Sequence, residues 1–320
     1  MDLSIVIPAF RATTTLEPTF SSIASANFDG LRYEVVLVDD ASDDGTAKVA
    51  AELAHRLDLP VRIAAHHSRQ GIGPARRTAL ALASGNFVAC VDADDIVLPR
   101  RFLDAIECLQ QTGAQLCGGD LLPFHSDNGD AADPVSFPTH AQEIAGCLPF
   151  YCPIWGCAET FRRSVLQQVP YPHSAYAEDW LFAHRVVRAY GEQGLANTGT
   201  PLVRYRLHAT QATRQAGGFN EAIWPIWREV LTDSLDLRPS LQELRLHARF
   251  SPYLYANPLR KTTGAHDLHQ WQQWSERVLH AARRLAYAPI WIERHLRQVE
   301  QNIRICQQAH LPTQHLLRIP

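Results

Sequence analysis

The sequence contains no apolar run long enough to cross a bilayer, and it is very poor in lysine and methionine. It has one methionine, and its two lysines are Lys48 and Lys261. No stretch reaches the roughly 18 consecutive apolar residues of a membrane-spanning helix, so we expect no transmembrane segment. The chain also begins without a basic segment followed by an apolar one, which argues against a secretory signal. The expected location is therefore the cytoplasm.

Cysteine pairs with zinc-module spacing are also missing. Seven cysteines occur, and Cys147, Cys152 and Cys157 recur every five residues. Zinc modules instead place paired ligands about two to four residues apart. An odd number of cysteines without a secretory signal favours reduced thiols. We interpret these three as ordinary buried side chains, with a metal site as the alternative.

The formal net charge of −3 conceals a difference between the two halves of the chain. Residues 1–150 carry 20 acidic and 10 basic side chains, whereas residues 151–320 carry 13 acidic and 20 basic ones. A basic second half is compatible with an anionic acceptor or an anionic membrane, and equally with a solvated arginine-rich surface. The basic residues are dispersed and no nucleic-acid-binding motif accompanies them, so we expect no nucleic-acid partner.

Strand and helix signals alternate four times in the first hundred residues. Each unit opens with a short apolar run, and these runs lie at 3–10, 33–42, 61–67 and 86–95. This alternation indicates an α/β fold with an open, parallel, doubly wound sheet. Ligands bind such sheets outside the carboxyl ends of the strands. Asp39, Asp40 and the acidic segment 92–95 all fall at such ends.

The pattern changes in the second part of the chain. The sequence predicts a surface loop or an insertion for residues 120–145. It predicts mixed structure for residues 150–210, which are rich in aromatics. Helices are predicted for residues 219–245 and 267–310. The last helical segment carries an apolar stripe, made of Trp271, Trp274, Val278, Leu285, Ile292, Leu296, Val299, Ile303 and Cys306. We favour packing of this stripe against the chain itself, with another copy of the chain or a membrane surface as alternatives.

Three carboxylates crowd into four residues at the end of the fourth predicted strand. Asp92, Asp94 and Asp95 repel one another unless a cation lies between them. Helix capping before Pro99 accounts for one of these aspartates, but not for three. Oxygen-rich surroundings suit Mg²⁺ or Mn²⁺, and such a cation in a sheet crevice typically bridges nucleotide phosphates. The cluster therefore predicts a divalent cation bound together with a nucleotide.

Four segments, in order, resemble the family 2 glycosyltransferases, which are inverting, metal-dependent enzymes with the GT-A fold. They are SIVIPAF (4–10), EVVLVDDASDDGT (34–46), RQGIGPARRTALALASGNFVACVDADD (69–95) and YAEDWLFAHRV (176–186). The resemblance covers about residues 1–210. It implies a GT-A catalytic domain over 1–215, divided near residue 115 into a nucleotide-binding part and an acceptor part. Residues 216–320 would form a helical C-terminal extension.

The resemblance implies nucleoside-binding roles for residues on the first two strands. Pro8 and Ala9 are expected to line the nucleoside pocket. Asp39 is expected to accept a hydrogen bond from the imino N–H of the base, with Asp40 beside it. Glu34, on the same strand, is expected to orient the ribose side.

The resemblance also implies a diphosphate and metal site further along the chain. Arg76 is expected to approach the diphosphate. Asp92, with Ala93 beside it, is expected to contact the ribose or the metal shell. Asp94, the second aspartate of the D-x-D motif, would bind Mn²⁺ or Mg²⁺ directly. His208 matches a position that often holds a further metal or diphosphate ligand, although a lone histidine is as often a structural residue.

An inverting transferase needs a base that removes the proton of the acceptor hydroxyl. Asp179 matches the position of the family's base, and Glu178 is the second candidate. Both also suit the first turn of a helix, where the dipole favours acids. Trp155 and Trp180 are candidates for stacking on sugar or acceptor rings, with burial in the core as the alternative.

These observations predict a metal-dependent glycosyltransferase that uses a nucleoside diphosphate sugar, with UDP as the expected nucleotide. The expected acceptor is a glycan or a lipid-linked glycan in cell-surface polysaccharide assembly. The C-terminal helices would provide any homo-oligomer contact, or any peripheral contact at the inner face of the cytoplasmic membrane. Two alternatives remain: a degenerate scaffold that binds nucleotide sugars, and a phosphatase-like hydrolase that uses the aspartate pair.

Overall fold

The computed structural model describes residues 1–208, 211, 216–250 and 265–309, and a mixed sheet of eight strands lies within the first 207 of them. The strands in chain order are β1 (Leu3–Ala9), β2 (Tyr33–Asp39), β3 (Val61–Ala65), β4 (Phe87–Cys90), β5 (Ile96–Val97), β6 (Leu116–His125), β7 (Thr160–Arg162) and β8 (Leu195–Leu207). Their order across the sheet is β3-β2-β1-β4-β7-β6-β8-β5.

The first four strands are parallel neighbours and confirm the predicted doubly wound arrangement. β1 pairs with β2 and β4, and β2 pairs with β3. All seven residues of β1 are buried, as expected for a parallel strand covered by helices on both faces. The connecting helices are α1 (Leu16–Ala24), α2 (Thr46–Arg56) and α3 (Ile72–Leu82). Ala9 and Asp39 are register partners, so the carboxyl ends of β1 and β2 lie side by side.

The fourth strand is shorter than predicted, because it ends at Cys90 and does not run through the aspartates. The chain turns there, and the N–H of Asp95 donates to the carbonyl oxygen of Asp92 at 3.3 Å. The turn leaves carboxylate oxygens of Asp92 and Asp95 within 4.8 Å of each other. The next helix, α4 (Arg101–Thr112), begins two residues after Pro99.

The predicted surface loop at 120–145 is wrong for its first part, which belongs to β6. This ten-residue strand lies between β7, its antiparallel neighbour, and β8, its parallel neighbour. Gly118 and Gly119 weaken the strand signal in the sequence, because glycine is uncommon in strands. A Cβ atom at either glycine would collide with side chains of β8, such as Asn197 and Leu202. Glycine is therefore required for the close approach of the two strands.

Six α-helices follow β6 in the described part of the chain. They are α5 (Ala141–Cys147), α6 (Glu178–Tyr190), α7 (Ala216–Leu235), α8 (Leu241–Phe250), α9 (Ala265–Arg284) and α10 (Pro289–Ala309). Pro289 stands at the first position of α10, where its missing N–H leaves no helical hydrogen bond unmade. None of the described helices combines the length and the apolar character needed to cross a membrane.

The apolar stripe of the last two helices packs against the chain itself. Its members Trp271, Trp274, Val278, Ile292, Leu296, Val299 and Ile303 are at most 5% exposed. They share one core cluster with Val6 of β1 and Val36 of β2. Leu285 is the exception, since it is 43% exposed and does not belong to the buried face. The side chain of Cys306 lies outside the described residues. The structure therefore favours packing of this stripe against the chain itself.

Candidate active site

The carboxyl ends of β1 and β2 form the predicted nucleoside end of the site. Pro8 and Ala9 close β1 and are buried, and Asp39 closes β2 with 5% of its surface exposed. The Oδ1 atom of Asp39 accepts a hydrogen bond from the N–H of Ser42 at 3.0 Å. This bond turns the chain away from the strand and orients the carboxylate at the edge of the sheet.

Asp40 has a structural role that differs from the predicted contact with the nucleotide. Its oxygens accept hydrogen bonds from the N–H groups of Gln70 at 2.9 Å and Gly71 at 2.7 Å. Its Oδ1 atom also lies 2.7 Å from Nδ1 of His66. The carboxylate is 3% exposed. Asp40 therefore holds the loop before α3 in place.

Glu34 lies at the wrong end of its strand for the predicted ribose contact. Its Oε1 atom accepts hydrogen bonds from the hydroxyl of Ser4 at 2.7 Å and from the N–H of Ser84 at 2.7 Å. Five residues separate it from Asp39, which is about 16 Å along an extended strand. Glu34 therefore fixes the chain that enters β4, at the opposite edge of the sheet.

The residue after β1 adds an aromatic surface that the sequence interpretation missed. The guanidinium carbon of Arg69 lies 4.0 Å from the ring centroid of Phe10, and that of Arg11 lies 5.3 Å away. Arg11 also pairs with Asp43 at 2.7 Å. A ring flanked by cations, next to the ends of β1 and β2, suits a flat and anionic ligand. The aromatic residue directly after a buried strand was the available signal.

Asp94 and His208 meet although 114 residues separate them in the sequence. Oδ2 of Asp94 lies 2.9 Å from Nε2 of His208, and the side chains are 31% and 25% exposed. The structure thus brings together the two residues predicted to hold a metal. Ala93 is buried, and its carbonyl oxygen accepts a hydrogen bond from the hydroxyl of Thr15 at 2.9 Å, which fixes the turn.

The donor atoms of Asp94 and His208 fit a hard or borderline divalent cation. The 2.9 Å between Oδ2 of Asp94 and Nε2 of His208 is a hydrogen-bond distance, and a cation bound by both atoms would replace that hydrogen bond. One carboxylate oxygen and one imidazole nitrogen suit Mn²⁺, and water or phosphate oxygens would complete its shell. The pair is accessible, so a nucleotide could reach a cation bound there.

A second acidic group is a poorer metal site. Asp92, Asp95 and Cys157 place one ligand atom each within 4.8 Å of the others. Burial raises the pKa of the Cys157 thiol well above its ordinary value, and the nearby Asp95 raises it further. A protonated thiol is a poor ligand for Mg²⁺ or Mn²⁺. Burial, followed by repulsion from Asp94 and Asp92, also raises the pKa of Asp95 well above the usual range.

Residues near the end of β8 support the D-x-D turn and were not anticipated. The Nε–H of Arg206 donates to the carbonyl oxygen of Asp94 at 2.6 Å, and its backbone N–H donates to Asp95 at 2.8 Å. The side chain of Gln211 then donates to the carbonyl oxygen of Arg206 at 2.6 Å and accepts from the N–H of His208 at 3.2 Å. No local sequence signal reveals contacts across more than a hundred residues.

Arg76 lies beneath the site, which corrects its predicted contact with the diphosphate. It is 1% exposed, and its guanidinium pairs with Asp92 and with Glu178. Burial lowers the pKa of Arg76, but attraction to Asp92, Tyr171 and Glu178 outweighs burial and raises it well above its ordinary value. The repulsion within the acidic turn is therefore relieved in part by a cation of the chain itself.

The two candidate base residues open helix α6. Ala177 precedes them in a left-handed conformation with φ of 50°. Oδ2 of Asp179 accepts the N–H of Gly156 at 2.8 Å, and Oδ1 accepts the N–H of Trp180 at 2.7 Å. Burial raises the pKa of Asp179, although Arg76 opposes the shift. Asp179 is therefore held in one orientation at the positive end of a helix.

Glu178 differs from its neighbour because its carboxylate is turned inward. It is 3% exposed and pairs with Arg76. Burial raises the pKa of Glu178 to about 7, with Arg76 opposing the shift and Asp179 adding to it. Glu159, which the sequence interpretation missed, is fully buried beside them and accepts the hydroxyl of Tyr171 at 3.0 Å. Burial raises the pKa of Glu159 to about 8, again against the attraction of Arg76.

The two predicted acceptor-side tryptophans lie in different surroundings. Trp180 is fully buried, its Nε1–H donates to the carbonyl oxygen of Leu148 at 2.9 Å, and its ring meets Trp227 edge to face. It therefore belongs to the core and cannot stack on an acceptor. Trp155 is partly exposed and meets the rings of Phe137 and Tyr205 at 5.7 and 5.4 Å. It immediately precedes Gly156, the glycine that holds Asp179.

Comparison with known proteins gives matches of sequence and of fold. The Glycosyl transferase family 2 profile matches residues 4–169. Glycosyltransferase AglE of Haloferax volcanii is 26% identical over 140 residues, which is 44% of this chain and 46% of that protein. The poly(ribitol-phosphate) beta-N-acetylglucosaminyltransferase TarS of Staphylococcus aureus is 28% identical over 144 residues, 45% of this chain and 24% of TarS. The alignments thus span less than half of either relative's length.

Solved structures resemble the fold over nearly the whole chain. The crystal structure of TarS 1–349 in complex with UDP-GlcNAc has a TM-score of 0.64 at 18% identity, and the match covers 95% of this chain and 92% of that one. The mannosyltransferase PcManGT of Pyrobaculum calidifontis, in complex with GDP-Man and Mn²⁺, has a TM-score of 0.52 at 16% identity, with 98% and 84% covered. These matches confirm the predicted GT-A fold.

Proposed function

The chain belongs to glycosyl transferase family 2, and from this premise we propose that it transfers a sugar from a nucleoside diphosphate donor to a hydroxyl acceptor, with inversion. UDP is the proposed nucleotide, and the proposed acceptor is a glycan or a lipid-linked glycan of the cell surface. The observation that carries the proposal is the meeting of Asp94 with His208 on a turn that Arg76 connects to the start of the helix that bears Asp179. The nucleotide sugars bound by TarS and PcManGT support this donor class.

The proposed donor site lies at the carboxyl ends of β1 and β2 and at the D-x-D turn. Asp39 would accept the imino N–H of a uracil or thymine base, and Phe10 with Arg69 would cover its flat face. Asp94 and His208 would hold Mn²⁺ or Mg²⁺. When bound, such a cation supplies positive charge that offsets the charge developing on the leaving diphosphate.

Asp179 is the proposed base. Two backbone N–H groups hold its carboxylate at the start of α6, so it keeps one orientation while an acceptor hydroxyl approaches. It would take the proton of that hydroxyl as the oxygen attacks the anomeric carbon from the face opposite the diphosphate. One displacement of this kind inverts the anomeric centre. Trp155 stands beside Gly156 and would provide an apolar surface for the acceptor ring.

A thermal-shift panel tests the donor site directly. Wild type, Asp94→Ala and the surface control Glu52→Ala are heated with UDP, dTDP, GDP, CDP or ADP, each with and without Mn²⁺. A ligand that binds only the folded state at 100 times its Kd adds about 2.7 kcal/mol to the free energy of unfolding. We expect a Mn²⁺-dependent shift with UDP in wild type and Glu52→Ala, and its loss in Asp94→Ala.

Three results of these thermal-shift measurements would contradict the proposal in whole or in part. A shift with UDP that does not require Mn²⁺, or that survives in Asp94→Ala, would remove Asp94 from the metal site. The absence of a shift with every nucleotide would overturn the donor class. A shift with GDP alone would keep the transferase and replace the nucleotide.

A further inference from the structure

Arg76 connects two segments that carry different parts of the proposed reaction. It projects from α3, and one end of its guanidinium, Nη2, pairs with Asp92 of the D-x-D turn. The other end, Nη1, pairs with Glu178, the first residue of α6 and the neighbour of Asp179. Asp92 and Glu178 are 86 residues apart in the sequence. A planar guanidinium presents donors in a rigid fork, so it fixes the distance between two carboxylates as a lysine ammonium cannot.

Gly156 contacts both Arg76 and the proposed base, Asp179. The guanidinium lies against Gly156, where a Cβ atom would overlap both of its terminal nitrogens. The N–H of the same glycine donates to Asp179. The position of Arg76 is therefore tied to that of Asp179 by two routes, through Glu178 on the same helix and through the backbone of Gly156.

The burial of Arg76 excludes a direct donor contact. The residue is 1% exposed, and Asp92 and Glu178 cover its two ends. Its attraction opposes the burial of four carboxyl groups, those of Asp92, Glu159, Glu178 and Asp179. Breaking such a bridge leaves uncompensated charge in the interior, so the surrounding segments would shift.

We propose that Arg76 is a positioning residue that fixes Asp179 relative to the D-x-D turn by bridging Asp92 and Glu178, without touching the donor. This inference rests on the proposed function, since it takes Asp179 as the base and the turn as the metal site. It gives Glu178 the role of an anchor and not that of a second base. Binding of nucleotide and metal at the turn would then also stabilise the first turn of α6.

The test compares Arg76→Lys with Arg77→Lys, its neighbour on α3. Arg77 donates to the carbonyl oxygen of Tyr171 at 3.2 Å and takes no part in the bridge. Amide hydrogen exchange of residues 176–186 is followed with and without UDP plus Mn²⁺, and UDP affinity is measured for each protein. Turnover is followed as release of the nucleoside diphosphate from the sugar nucleotide that the binding panel selects.

The expected pattern separates positioning from binding. Wild type and Arg77→Lys should show slower exchange at 176–186 when UDP and Mn²⁺ bind. Arg76→Lys should bind UDP about as tightly but lose that protection, and its kcat should fall about 100-fold while the donor KM stays nearly constant. If Arg76→Lys does not fold, Glu178→Gln breaks the same bridge at its other end and should give the same pattern.

Each other outcome has a definite meaning. A tenfold or greater loss of UDP affinity with unchanged kcat would show that Arg76 contacts the donor and would overturn the inference. Retained protection and retained kcat in both bridge variants would overturn it as well. If wild type binds none of the nucleotides with Mn²⁺, the proposed function fails, and the inference fails with it.

Discussion

Four carboxyl groups, two of them buried and two half-buried, surround one guanidinium at the centre of this site. Arg76 attracts Asp92, Glu159, Glu178 and Asp179, yet only Asp92 and Glu178 pair with it directly. Asp179 instead keeps its oxygens on backbone N–H groups. The environments of neighbouring acids thus differ, and such differences separate a reactive carboxylate from a structural one.

At this scale, we predict that Asp179→Asn removes turnover and leaves nucleotide binding intact. The amide keeps the size of the side chain but cannot accept the proton of an acceptor hydroxyl. We expect turnover to fall roughly 1,000-fold, within the range that one acid or base contributes. The Mn²⁺-dependent thermal shift with the nucleotide serves as the control for folding and binding. Near-normal turnover in this variant would show that another group is the base.

The site residues also show what a single sequence can and cannot reveal. Asp94, Asp179 and His208 could be predicted as candidates because they stand in short motifs at strand and helix ends. Glu34 was misplaced because acids occur at both ends of β2, and an apolar run does not show which end faces a ligand. The pairing of Arg76 with Glu178 spans 102 residues, and no local pattern encodes it.

At the scale of elements, the apolar runs predicted the four parallel strands correctly, because strands buried on both faces contain few polar residues. The fourth strand was extended too far, since Asp92 to Asp95 continue an apolar run but form a turn. β6 was missed because its glycines are required by close packing against β8. Packing between distant strands is decided by the partner strand, which the local sequence does not show.

The last two helices provide a stability prediction at the same scale. Trp274 is 2% exposed, and its Nε1–H donates to Nδ1 of His247 on α8 at 3.1 Å. We expect Trp274→Ala to lower the free energy of unfolding by about 3–5 kcal/mol, because it leaves a large cavity. Leu285→Ala, at the exposed end of the same layer, should change it by less than about 0.5 kcal/mol. Urea unfolding of both variants checks the contrast, and equal effects would show that α9 is not packed as described.

At the scale of the whole molecule, two histidines of the C-terminal helices, His247 buried and His295 half-buried, pack against the segment that follows α5. His247 lies 2.6 Å from the carbonyl oxygen of Pro149 through Nε2, and it accepts Trp274 through Nδ1. Burial lowers the pKa of His247 to about 4. Burial, with repulsion from His247, lowers the pKa of His295 to about 3. Both rings are therefore neutral in the folded protein at neutral pH.

These shifts predict an acid-dependent loss of stability. A histidine whose pKa is lower in the folded protein is protonated more readily in the unfolded chain. Protonation therefore favours the unfolded state, and the free energy of unfolding falls as the pH drops below about 6.5. The loss is at most about 1.4 kcal/mol per pH unit for each histidine, until the folded pKa is reached. Glu159 and Glu178, whose pKa values are raised, act in the opposite direction, so the total slope mixes both effects.

A variant isolates the contribution of one ring. His295 packs on Phe150 with ring centroids 4.2 Å apart, and His295→Phe keeps an aromatic ring there. Unfolding free energies of wild type and this variant, measured from pH 7 to pH 4, should show a shallower loss in the variant. Parallel curves would mean that His295 does not change its protonation on unfolding.

The strand order also has a consequence for how the chain folds. β1 to β4 join through short crossovers, so their sheet can form from the first ninety residues alone. β6 pairs with β8, which begins 70 residues after β6 ends, so this pairing can form only after β8 has been made. Trp291 of α10, which packs beside Gly146, is made later still. Pairings between distant segments form slowly because a long loop has to close first. During synthesis, the part of the sheet built from β1 to β4 can therefore assemble early, whereas the core side covered by α9 and α10 stays exposed until those helices have been made.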